Sequence, residues 1–160
     1  VGAIKTDGTM WVWGSVGYGV LGNDESNTLH SRSSPVQVPG AWESGSGKFS
    51  KHATTSTAIK SDGTLWVWGT GWWGATGQND RTHRSSPTQV PGTTWNKVSA
   101  GLDAIYASKT DGTLWSWGYN NFGQLGLNDR VNYSSPVQLP GSWKGEISGG
   151  YYAAALIGNS

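Results

Sequence analysis

The stretch Lys60-Ser61-Asp62-Gly63-Thr64-Leu65-Trp66-Val67-Trp68-Gly69 decides the fold. In an extended chain Leu65 and Val67 fall on one face and Trp66 and Trp68 on the other, the two-residue period of a strand. Asp62-Gly63 ahead of it signals a hairpin, and the reading assigns a type I′ turn, whose central residues take positive φ. The block returns twice. Lys5-Thr6-Asp7-Gly8-Thr9-Met10-Trp11-Val12-Trp13-Gly14 precedes it, and Lys109-Thr110-Asp111-Gly112-Thr113-Leu114-Trp115-Ser116-Trp117-Gly118 follows.

Working outward, further anchors recur in order. Gly19, Gly74 and Gly123 lie five residues past each block, and Gly22, Gly77 and Gly126 three further on. Asn-Asp pairs at 23–24, 79–80 and 128–129 come next, read as Asx turns because a calcium loop would need six or more oxygens. Then follow Ser33-Ser34-Pro35, Ser85-Ser86-Pro87 and Ser134-Ser135-Pro136, then Pro39-Gly40, Pro91-Gly92 and Pro140-Gly141, and soon after Trp42, Trp95 and Trp143. The Asp-Gly anchor steps by 55 residues, Asp7 to Asp62, and by 49 to Asp111. Loop insertions explain the difference, including four extra residues between Asp24 and Ser33. The tail Ala155 to Ser160 aligns with Ala58 to Gly63 and with Ala3 to Gly8. Residues 1–160 thus read as three periods, anchored at 7–62, 62–111 and 111–159 and cut mid-repeat at both ends.

Each period carries four short strands and no helical pattern. Besides the Trp-x-Trp strand there are Thr88 to Val90 (Val36 to Val38 in the first period), Lys97 to Ser99, and Ala104 to Ala107. Four strands in about 50 residues make one antiparallel sheet, and repetition at that period predicts an all-β β-propeller. A β-solenoid is disfavoured by the hairpin at every Asp-Gly. The composition agrees: 25 Gly and 11 Trp in 160 residues, no Cys, and a net charge of +1. There is no long apolar run for a membrane span and no basic footprint for nucleic acid. Without Cys there is no disulfide frame and no thiolate metal site.

Ser-Ser-Pro-Val-Gln-x-Pro-Gly, then Trp, then Lys-Thr-Asp-Gly-Thr-Leu-Trp-x-Trp-Gly and Asn-Asn-Phe-Gly-Gln-Leu-Gly resemble the regulator of chromosome condensation repeat family. Residues 118–126 carry the resemblance best. It implies blades of a propeller that usually has seven. Three blades do not close a ring, so the chain belongs to a longer propeller or copies of it assemble. The family's chromatin-bound exchange factor works through loops whose motifs have no match here, and no basic tail is present. That activity is not carried over.

Candidate functional residues are those the repeat does not demand. Trp11, Trp13, Trp66, Trp68, Trp115 and Trp117, with Asp7, Asp62 and Asp111, recur in register and are assigned to structure. Tyr18, Trp73 and Phe122 share one repeat position and are assigned to packing likewise. Trp72 differs, because its equivalents are Gly17 and Asn121. With Tyr119, Asn120 and Asn121 it forms the candidate binding site, suited to stacking on a sugar or anchoring a protein. His30, His52 and His83 share no repeat position, lack metal spacing, and are assigned to solvated loops. No nucleophile elbow, phosphate loop or metal set is evident, so no enzyme activity, cofactor or metal is expected. The expected function is a non-enzymatic scaffold for protein–protein interaction, self-association or structural display on a phage virion or bacterial surface. A carbohydrate-binding module is the alternative.

Overall fold

A computed structural model describes residues 1–15, 17–25, 31–150 and 154–157, the last four as backbone. It is all-β. Two complete sheets have four antiparallel strands each: β4 (Phe49–Lys51), β5 (Thr55–Ile59), β6 (Leu65–Gly69) and β7 (Arg84–Gln89), then β8 (Trp95–Ala100), β9 (Ala104–Lys109), β10 (Leu114–Gly118) and β11 (Tyr133–Leu139). Before them, β1 (Gly2–Ile4), β2 (Met10–Ser15) and β3 (Ser31–Val38) form a three-stranded sheet. After them, β12 (Glu146–Gly149) pairs with β13 (Ala154–Ile157). Below, the sheets ending in β3, β7 and β11 are the first, second and third blades.

The Asp-Gly hairpins form, but with a different turn. Gly8, Gly63 and Gly112 have positive φ, whereas Asp7, Asp62 and Asp111 do not. Gly63 N–H donates to the Lys60 carbonyl at 2.9 Å, and Lys60 N–H to the Thr64 carbonyl at 2.9 Å. This is a type I turn followed by a left-handed glycine, not type I′. It leaves the Asp side chain free to cap the turn. Asp62 Oδ1 accepts from Thr64 N–H at 3.0 Å and its hydroxyl at 2.6 Å, and Thr64 Oγ1 accepts from Trp66 Nε1 at 2.8 Å. The Asp7–Thr9–Trp11 and Asp111–Thr113–Trp115 chains match it. A lysine covers each of these indoles: Lys5 at 4.6 Å from the ring centre, Lys60 at 3.6 Å and Lys109 at 4.7 Å. The spacing Lys-x-Asp-Gly-Thr-x-Trp is thus explained as one cap.

Ser-Ser-Pro lies inside β3, β7 and β11 rather than ahead of them. These are edge strands, where proline's missing N–H costs no ladder bond. Opposite Val67 and Gly69 stand Thr88 and Arg84, so Ser85, Ser86 and Pro87 bulge across from Trp68 alone. Trp13 and Trp117 face the same bulge. The bulge receives the loop of the blade before it. Asp24 N–H donates to the Ser85 carbonyl at 3.0 Å and Asn79 N–H to the Ser134 carbonyl at 2.7 Å. Gly74, at φ +82, lies against the bulge so closely that a Cβ there would sit 2.3 Å from Ser134 Cα.

The apolar core lies at the seams between blades. Met10, Val12, Leu21 and Val38 of the first blade pack on Trp42, Ala58 and Trp68 of the second. Ile59, Leu65, Val67 and Val90 of the second pack on Trp95, Val98, Ile105, Ala107 and Trp117. Fully buried Trp68 donates its Nε1–H to the Val20 carbonyl at 3.0 Å, and Trp117 donates to the Ala75 carbonyl at 3.0 Å. The seam contacts also correct the repeat alignment. Asp24, Asn79 and Asn128 share positive φ, and Glu25 pairs with Arg32 as Asp80 does with Arg84. Asn23-Asp24 is therefore one residue out of register with the other pairs, and the first loop is longer by three residues, not four.

Candidate functional site

The site is built on the tight turn that follows each Trp-x-Trp strand. Gly17–Gly19 and Trp72–Gly74 each make a single 3₁₀ turn, with Tyr18 at φ 59 and Trp73 at φ 60. The assignment of these aromatics to packing fails. Tyr18 is 37% exposed, Trp73 39%, Phe122 60% and neighbouring Trp72 44%. Repetition here marks a shared turn at the surface, not a shared core.

The exposed rings touch across the seams. Tyr18 and Trp72 have centroids 4.8 Å apart, crossing from the first blade to the second. His83 contacts both, at 5.3 Å from Tyr18 and 5.4 Å from Trp72. Trp73 meets Tyr119 of the third blade at 5.3 Å, and Tyr119 meets Phe122 at 6.0 Å. The result is two ring clusters, one over each seam, which the adjacent residues Trp72 and Trp73 join along the chain into an aromatic ribbon over three blades. Its ring pairs are tilted or edge-on, the arrangement the ring quadrupole favours.

A second loop clasps each turn from below. A Cβ on Gly71 would sit 2.1 Å from the Thr82 carbonyl, so only glycine admits this approach. Gly71 N–H donates to His83 Nδ1 at 2.9 Å, and Asn120 N–H donates to Asn132 Oδ1 at 2.6 Å in the matching place. His83 is exposed on its loop, as expected, but its Nδ1 is tied to the Gly71 backbone. With Nδ1 accepting, the neutral ring carries its proton on Nε2. His52 is half-buried, and desolvation lowers its pKa despite nearby Asp103. His30 lies outside the described residues.

Of the four candidates, the structure brings Trp72 and Tyr119 into the ribbon and leaves Asn121 exposed near it. Asn120 is removed from the site. It is buried, its Nδ2 donates to the Asp129 carbonyl at 3.2 Å and carboxylate at 2.9 Å, and its Oδ1 accepts from Leu125 N–H at 2.9 Å. It organises the loop and offers nothing to a ligand.

Charge at the site comes from Arg81, which follows the aspartate of the clasping loop, and exposed Arg130 holds the matching repeat position. Arg81 lies 6.0 Å from the Trp73 ring centre. The aspartates are turned back. Asp80 accepts from Thr82 N–H at 2.9 Å and from Arg84 at 2.7 Å, and its carboxyl pKa is lowered, chiefly by the backbone bond. Asp129 accepts from Val131 N–H at 3.0 Å and from the Tyr133 hydroxyl at 2.8 Å, which lower its pKa in that order. Among the described residues no three His, Cys, Asp or Glu gather as a metal site. Nor is any described helix long and apolar enough to cross a membrane.

Sequence reasoning missed His83, Arg81 and the surface placement of Tyr18, Trp73 and Phe122. The signal for Arg81 was available, since Arg130 occupies the same repeat position once the loops are aligned on Asp80 and Asp129.

Comparison with known proteins agrees with this architecture. Residues 111–156 match a family model described as regulator of chromosome condensation (RCC1) repeat, and residues 95–124 match a second model so described. Human WBSCR16 superposes with a TM-score of 0.78 at 22% identity, over 98% of this chain and 42% of that one. Prp20p from Saccharomyces cerevisiae superposes with a TM-score of 0.76 at 17% identity, over 92% of this chain and 39% of that one. Yeast RCC1 (Prp20) bound to Kap60 gives a TM-score of 0.71 at 20% identity, with 93% and 36% covered. The chain thus spans well under half the length of these structures. Prp20p is described with binding properties to Gsp1p and histones. Residues 95–156 thus carry regulator of chromosome condensation (RCC1)-type repeats, and the chain as a whole has the β-propeller blade fold of these structures.

Proposed function

We propose that the chain is a non-catalytic interaction scaffold whose binding surface is the aromatic ribbon. The observation that carries this reading is a pair of surface ring clusters, Tyr18–Trp72–His83 over one blade seam and Trp73–Tyr119–Phe122 over the next, linked through the adjacent residues Trp72 and Trp73. Solvent-exposed aromatic clusters of this kind supply the anchors of protein interfaces. The low charge and absence of Cys support display on a virion or cell surface. The test pans a displayed random-peptide library on the chain and re-measures each enriched binder on the Trp72→Ala/Trp73→Ala variant. Binders that lose about tenfold in affinity support the reading. Binders indifferent to both substitutions remove it.

A second reading, a carbohydrate-binding module, draws on the exposure of Trp72 beside Asn121. A glycan array decides it: no binding at millimolar sugar ends the lectin reading.

A further inference from the structure

We propose that the aromatic ribbon docks a proline-rich segment of a partner protein in the polyproline II conformation, with acidic residues flanking it. This deepens the scaffold reading and rests on it.

The ribbon has an unusual hydrogen-bonding character. Most indoles elsewhere are satisfied within the fold: Trp11, Trp66 and Trp115 donate to threonines, and Trp42, Trp68, Trp117 and Trp143 to carbonyls. The Nε1–H groups of Trp72 and Trp73 and the hydroxyls of Tyr18 and Tyr119 make no hydrogen bond among the described residues. His83 adds an Nε2–H, because its Nδ1 is taken by Gly71. The acceptors that could have balanced these donors, Asp80 and Asp129, are bound by Thr82, Arg84, Val131, Tyr133 and Asn120. A surface of apolar rings tipped with donors calls for a ligand of apolar rings and acceptors.

A polyproline II segment meets that demand. Each proline presents a ring and a carbonyl and has no N–H, and its carbonyls find no partner within the helix. Aromatic-lined grooves that donate to such carbonyls are an established recognition mode, and the ligand is ordered before it binds. A sugar suits the ribbon less, since its hydroxyls also need acceptors. The charge sets the flanks. Arg81 and Arg130 are exposed and make no salt bridge among the described residues, while Asp80 is committed to Arg84. Acidic flanks would gain two cations and basic flanks would meet repulsion.

The experiment titrates the full chain with a decaproline peptide ending in two glutamates and follows binding by calorimetry. The comparison ligands are decaproline ending in two lysines, a glycine-serine decamer ending in two glutamates, cellohexaose, and oligo-dT. Saturable binding of the first, weaker binding of the lysine form and none of the glycine-serine form are expected. Trp72→Ala should weaken binding about tenfold. Trp72→Phe, which keeps a ring but loses the N–H, should weaken it about fivefold. Arg81→Ala should reduce the preference for glutamate over lysine, and Arg81→Ala/Arg130→Ala should abolish it. Absence of saturable proline binding, or equal binding by folded Trp72→Ala, overturns the proposal. So does tighter binding of cellohexaose or oligo-dT. If the library yields ribbon-dependent binders without proline, this proposal falls while the scaffold reading stands.

Discussion

The indole of Trp68 donates to the backbone carbonyl of Val20, a residue 48 positions earlier and one blade back. Ser56 donates its hydroxyl to the same oxygen at 2.8 Å. In the next seam Trp117 bonds the Ala75 carbonyl, but Ile105 stands where Ser56 would be. The two tryptophans are equivalent in place and unequal in consequence. Trp68→Phe leaves Val20 with a donor and should cost about 1 kcal/mol, whereas Trp117→Phe strands a buried carbonyl and should cost about 2–3 kcal/mol. Denaturant unfolding of both variants checks the order, and equal losses would contradict it.

Gly74→Ala should be severe. The added Cβ meets the Ser134 backbone at a residue already in the left-handed region, so the seam must open. A loss above about 3 kcal/mol is expected. Gly123 has a similar φ of +76, yet its nearest neighbour, the Asp129 carbonyl, would be 3.8 Å away. Gly123→Ala should therefore pay only backbone strain, about 1–2 kcal/mol. The pair separates seam contact from conformational cost by thermal melting.

Acid should loosen the fold through its turn caps. Asp7, Asp62 and Asp111 are each held below the usual carboxylate range, first by the threonine hydroxyl and then by its N–H. A lowered native pKa means stability is present above the unfolded value, about 3.9, and is lost as pH falls through the native one. His52 acts in the same direction at higher pH, because burial disfavours its charged form and stability is lost below about 6.5. Tm should therefore fall gently below pH 6.5 and steeply below pH 4. Replacing all three aspartates with asparagine should flatten the steep limb, and a retained limb would assign it to other carboxylates.

Trp72→Ala and Asn120→Ala should part company. Trp72 loses only surface contacts with Tyr18 and His83, about 1 kcal/mol. Asn120 is buried and its side chain serves Asp129 and Leu125, so its removal should cost about 3 kcal/mol or more. Calorimetric melting of both variants tests whether the loop is held from inside or from its rim.

The fold was legible because Lys-x-Asp-Gly-Thr-x-Trp recurs and every residue in it takes part in one cap. The candidate site was legible at Trp72, the residue out of pattern, and at Tyr119, and not beyond them. Tyr18, Trp73 and Phe122 were misassigned because recurrence reports a shared environment and does not say whether that environment is wet. Asn120 was misassigned because a polar loop residue looks the same in sequence whether it faces water or binds its own backbone. The turn type was missed since positive φ was credited to Asp as well as Gly, while the aspartate's energy lay in capping Thr64. The one-residue slip at Asn23 came from anchoring on letters inside a loop whose length differs.

The division of indoles between seam and rim gives the protein two independent optical reporters. Trp42, Trp68 and Trp117 are sealed from solvent, while Trp72 and Trp73 stand in it. A water-borne quencher such as iodide will reach the second group and spare the first. A ligand lying on the ribbon should shield emission that iodide otherwise extinguishes, without moving the buried band. Loss of a blade seam should do the reverse. Occupancy and unfolding can therefore be read apart in one cuvette, with no label added.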